Sequence, residues 1–68
     1  MQVTAVLTPA DEGGYVALNP ETGTTSQGDT IEEAIANLRE AVELFLEEFP
    51  MTFRGAALVT SFDVAVHA

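Results

Sequence analysis

Eleven carboxylates stand against two arginines, no lysine and one histidine in this chain of 68 residues. Any chemistry it performed would therefore be carboxylate chemistry. Two acids across a cleft can share general acid–base work, and several acids converging on one point can hold a divalent metal. Here Asp11 and Glu12 fall in one turn and Glu21 in another. Asp29 stands just before a helix, Glu32, Glu33, Glu40, Glu43, Glu47 and Glu48 lie along it, and Asp63 sits in the last apolar stretch. This spacing assigns no catalytic acid and no metal ligand. His67 stands one residue from the end, and spacing alone brings neither Thr60 nor Ser61 to it as the nucleophile of a base-activated pair. Gly13-Gly14 and Gly23 have neither P-loop nor dinucleotide-binding spacing and serve tight turns. Without cysteine there is neither a disulfide nor a thiolate metal site. The sequence reads as that of a non-enzyme with no catalytic, cofactor-binding or metal residues.

The same acids give a net charge of −9. Phosphate backbones and anionic lipid are repelled by such a chain, so direct nucleic-acid binding and membrane association are not expected. A basic protein is instead drawn in. Glu40, Glu43, Glu47 and Glu48 are the acids singled out for such a partner. Glu47 and Glu48 stand at the C-terminal end of the expected helix, where the dipole disfavours an anion by roughly 0.3–1 kcal/mol each. No apolar run reaches the length of a membrane span, and the first residues are not of signal-peptide type. The cytoplasm is the expected location.

The elements that must position these groups follow from periodicity. Residues 2–8 alternate, with Val3, Ala5 and Leu7 on one side, and predict a strand ended by Pro9. Residues 9–14 form a turn, 15–18 a second strand that makes a hairpin with the first, 19–23 another turn, and 24–27 a polar third strand near a sheet edge. Tyr15 is expected to anchor the hairpin with its ring half-buried. Thr30 and Glu33 form the Thr-x-x-Glu pattern of a capping box. From there Ile31, Ala34, Ile35, Leu38, Ala41, Val42, Phe45, Leu46 and Phe49 make the apolar stripe of an amphipathic helix, closed by Pro50. Residues 56–66 read as a last strand, with Leu58, Thr60, Phe62, Val64 and Val66 on one face and Val59, Ser61, Asp63 and Ala65 on the other.

The predicted class is therefore α+β, a single domain over residues 1–68 in the order β-β-β-α-β. One helix covers one face of a four-stranded, mainly antiparallel sheet. A chain this short buries little and gains from association. The uncovered sheet face, with Val16, Leu18 and Val59, adds to the expectation of a homo-oligomer.

Gly13-Gly14-Tyr15-Val16-Ala17, then Pro20, Gly23 and Ser26-Gln27-Gly28-Asp29-Thr30-Ile31-Glu32-Glu33-Ala34, resembles the HicB family of antitoxins over about residues 2–48. The resemblance implies a partial ribonuclease H-like fold without ribonuclease activity, since the first strand carries no acid. It also implies dimers or larger assemblies. Its function would be to neutralise a small basic RNA-cleaving HicA-like toxin by direct binding. The alternative is a stand-alone homo-oligomeric binding protein of the same family with no toxin. Many family members carry a C-terminal DNA-binding segment; no separate DNA-binding domain is expected here. The Pro-Glu-Thr-Gly turn is also shorter than the family's usual one.

Overall fold

A computed structural model describes residues 1–66; His67, weighed above, lies outside the described residues. Three strands, β1 (Val6–Pro9), β2 (Tyr15–Asn19) and β3 (Thr24–Gly28), precede one helix, α1 (Ile31–Glu48). The strands form an antiparallel meander in the order β1-β2-β3, with Leu7 opposite Ala17 and Ala17 opposite Ser26. The fold is α+β, as the periodicities require. The third strand stands at an edge of the sheet, where its polar sequence had placed it.

Two expectations are corrected. Strand β1 begins at Val6 and includes Pro9: its pairing with β2 ends at Val6 opposite Leu18, and before it the Thr4 N–H and carbonyl bond the Glu21 and Asn19 side chains instead of a strand. Residues 2–5 precede it without strand pairing. The fourth strand does not form among the described residues. Residues 56–66 take up no strand pairing and are exposed throughout, so the sheet has three strands rather than four.

Helix α1 begins where the capping pattern placed it. Thr30 is the N-cap in extended geometry, and its hydroxyl accepts the Glu33 N–H at 3.1 Å, satisfying one of the first-turn donors. At the other end the Phe49 N–H still reaches the Phe45 carbonyl at 2.8 Å, and the two rings pack at 5.2 Å. Pro50 follows and stops the helix.

The helix lies over β3 and β2. Residues 15, 17 and 19 of β2 alternate toward it, and Ala17, Ala34, Leu38 and Val42 make a small core, flanked by Ala5, Leu7, Tyr15 and Leu46. Leu38 and Val42 are its only large buried apolar side chains among the described residues, each contributing about 1.5–3 kcal/mol. The outer positions of the apolar stripe, Ile31, Ile35 and Phe49, stay exposed. Val16 and Leu18 occupy the sheet's uncovered face.

Close seating of the helix requires Gly28. A Cβ at that position would lie 2.5 Å from the Ala34 nitrogen and 2.7 Å from the Glu33 Cβ, so the backbone of α1 would have to lift. Gly14 adds a backbone reason: its φ is +77°, and a Cβ there would meet the Gly28 carbonyl at 2.6 Å. We expect Gly28→Ala to lower stability by about 1–3 kcal/mol, the usual range for overpacking. Chemical denaturation of parent and variant measures this. Equal stabilities would show that the helix does not need the glycine to seat.

Candidate functional site

Helix α1 presents the acids singled out from the sequence. Glu40, Glu43, Glu47 and Glu48 are all exposed. Helical spacing gathers them: Glu40 and Glu43 are i, i+3 neighbours, and Glu43 and Glu47 are i, i+4 neighbours. Leu44 lies among them, three residues before Glu47 and four from both Glu40 and Glu48. It is 58% exposed, an apolar side chain within an acidic rim on the face turned away from the sheet. The apolar stripe used to predict the helix omits Leu44. Its signal is that it breaks the stripe on the charged side. The last turn holds no basic residue, so the acids there are set against both one another and the helix dipole.

Two concavities flank the helix. One, of about 480 Å³, lies between residues 1–5 and α1, with Val3, Ala5, Ile35, Leu38, Val42 and Leu46 among its walls. The other, of about 700 Å³, lies beside the first hairpin tip and is lined in part by Asp11, Glu12, Asp29 and Glu33. Most of the acids thus lie on two surfaces, the hairpin end and the outer face of α1; Glu21 in the β2–β3 turn and Asp63 after the helix stand apart. Among the described residues no three acids or histidines come together as a metal-holding group, and no helix is long and apolar enough to cross a membrane.

One acid behaves differently from the rest. Glu21, in the β2–β3 turn, accepts four hydrogen bonds. They come from the Thr4 N–H and hydroxyl at 2.8 Å each, the Asn19 side-chain amide at 2.8 Å and the Ala57 N–H at 2.7 Å. Asn19 is fully buried. Its amide also donates to the Thr4 carbonyl, and its side-chain oxygen accepts from the Thr22 N–H and hydroxyl. The donors, above all the Thr4 and then the Ala57 N–H, hold the Glu21 carboxyl at about 2, against an ordinary 4.5, while desolvation opposes them. Backbone N–H groups aimed at a carboxylate stabilise its charged form. Sequence reasoning gave Glu21 only a turn, because its partners lie 17 and 36 residues away. This is an architectural acid rather than a reactive one.

The depressed value sets a sign for pH. The unfolded chain binds a proton near pH 4.5 and the folded chain only near 2. The Glu21 contribution is therefore complete above about 4.5 and is lost as the pH falls toward 2. Protonating the other acids relieves repulsion and acts in the opposite direction, so the comparison must be with Glu21→Gln. Across that window the parent should lose more denaturant resistance than the variant. Parallel pH curves for the two would refute the assignment.

Comparison with known proteins gives a consistent family. Over 48 residues, 69% of the chain, it is 46% identical to a UPF0150 protein of Synechocystis sp., 67% of which is covered. It is 51% identical over 45 residues to a second UPF0150 protein of that organism and 47% identical over 47 residues to one from Helicobacter pylori. The chain spans 57% and 64% of those two relatives. No family model and no solved structure matches it. The relatives' names state a family and no activity.

Proposed function

The chain belongs to the UPF0150 family of small proteins, and on that premise we propose that it is a non-catalytic, HicB-like protein-binding domain that neutralises a small basic RNA-cleaving toxin by direct binding. The observation that carries this reading is the outer face of α1. Four exposed glutamates surround an exposed leucine there, two of them, Glu47 and Glu48, in the last turn where charge of that sign is disfavoured. An apolar anchor inside a charged rim is a common plan for a protein interface. The anchor supplies affinity once desolvated, and the rim supplies steering and orientation. A net charge of −9 extends the attraction beyond contact distance. The HicB resemblance of residues 2–48 supplies the kind of partner. The distribution of acids is consistent with blocking a toxin by covering it rather than by acting on RNA.

A second reading is a stand-alone homo-oligomeric family member without a toxin. What favours it is the large exposed apolar surface of residues 58–66, which needs a partner but carries little charge to choose a basic one.

Co-expression with the product of the adjacent small open reading frame tests the first reading. We expect a complex whose association slows as salt is raised. Replacing Glu40, Glu43, Glu47 and Glu48 by glutamine should slow association roughly tenfold or more at low salt, and Leu44→Ala should weaken affinity by about 1–2 kcal/mol through faster dissociation. The reading fails if no basic neighbour is encoded, if none binds at moderate salt, or if these variants bind as the parent does.

A further inference from the structure

The groove of about 480 Å³ between residues 1–5 and α1 has two unlike sides. Ile35, Leu38, Val42 and Leu46 form the helix side. They follow one another at three or four residues, so they make one apolar row along the helix. The row is roughly 16 Å long at the helical rise per residue. Leu38 and Val42 are its buried floor, and Ile35 at one end is 38% exposed.

The facing side offers backbone. Thr4 spends its N–H on the Glu21 carboxylate, and its carbonyl accepts from the Asn19 amide, both at 2.8 Å. Val3 and Ala5 also line the groove, and among the described residues neither makes a backbone–backbone hydrogen bond. Successive residues of an extended chain turn their N–H and C=O groups to opposite sides, so those of Val3 and Ala5 face away from Glu21 and Asn19. Ala5 is half-buried, where unpaired backbone groups cost free energy. Free backbone groups on one side and an apolar row on the other are what an added strand requires. Main-chain hydrogen bonds hold it, and its alternate side chains fill the row.

Charge selects the occupant. Arg39 and Glu43 line the groove one helical turn apart, so its two ends differ in sign. Glu43 opens onto the acidic face, with Glu40 and Glu47 as its exposed i−3 and i+4 neighbours. Arg39 is the only cation on α1. We infer that the groove receives an extended apolar segment of a cationic protein. The segment lies against Val3 and Ala5, with an arginine or lysine at the Glu43 end and a carboxylate or carbonyl oxygen at the Arg39 end. A second copy of this chain brings a net charge of −9 to the same acids and is repelled. The inference rests on reading the chain as a binder of a basic protein, but not on that protein's being a toxin. It adds to the Leu44 face a second contact of a different kind, made by backbone as well as side chains.

The test uses the full chain and synthetic peptides. The probe alternates valine with threonine, with arginines at one end and a glutamate at the other. Titrated into isotope-labelled protein, it should move the NMR signals of the Ile35, Val42 and Leu46 methyls and of the Val3 and Ala5 amides. Methylating one alternate set of the peptide's amide nitrogens should weaken binding roughly tenfold, as the loss of one or two hydrogen bonds does, and methylating the other set should not. Peptides with serine for valine, or glutamate for arginine, should not bind. The inference is overturned if no signal moves, if only signals around Glu40 and Glu47 move, or if either methylated set binds equally. It is overturned also if the groove signals shift with protein concentration alone, which puts a second copy there. Contacts within one chain from Leu58 or Val64 to Leu38 or Val42 put the chain's own segment there and overturn it too. Leu44→Ala should leave peptide affinity unchanged, and a loss there counts against a separate groove. A toxin complex without peptide binding leaves the proposed function standing and the groove refuted; peptide binding without a toxin complex gives the reverse.

Discussion

Glu21 and Asn19 bring together three parts of the chain that local structure would leave apart. Asn19 ends β2 and is fully buried, a cost that is met only because both its amide hydrogens and its oxygen are hydrogen-bonded. Glu21 then takes the approach to β1 through Thr4 and the segment after the helix through Ala57. The apolar core is too small to set these positions by itself: two large buried side chains and two alanines leave little shape to discriminate one arrangement from another. A polar cluster with every site used is directional in a way that apolar contact is not, and it fixes where Thr4 and Ala57 lie relative to the sheet.

That anchoring separates the surfaces of the molecule by chemistry. Most of the acids lie at the first hairpin and on the outer face of α1, around the exposed Leu44, while much of the remaining exposed apolar surface lies on residues 58–66 and on the uncovered sheet face. Small residues on the helix-facing side of the sheet make the division possible. Gly28 lets α1 seat low over β3, and a groove remains between residues 1–5 and α1.

The two surfaces suit two kinds of association. Charge acts at a distance and weakens with salt, which is the kind of attraction the proposed capture of a cationic protein by the acidic face would draw on. Apolar burial acts only at contact and is not screened as charge is, and the exposed apolar side chains of residues 58–66 are of that kind. A chain this small gains stability from such association, because its own core buries little.

The sequence by itself determined what depends on neighbours within a turn or two. The helix from Ile31, its Thr30 cap, its stop at Pro50, the two glycine turns and the positions of β2 and β3 to within a residue all follow from local patterns. The exposure of Glu40, Glu43, Glu47 and Glu48 was legible for the same reason, since 3.6-residue periodicity fixes a side chain's face once the buried stripe is known. Only the tertiary structure decided the rest. The shortened β1, the role of Glu21 and the lack of a fourth strand among the described residues each depend on a partner distant along the chain. Alternation in residues 56–66 shows that the segment can be a strand, but a strand exists only where an edge receives it. Which edge that is depends on three-dimensional arrangement, because hydrogen-bonding groups of the backbone are the same at every residue and carry no address.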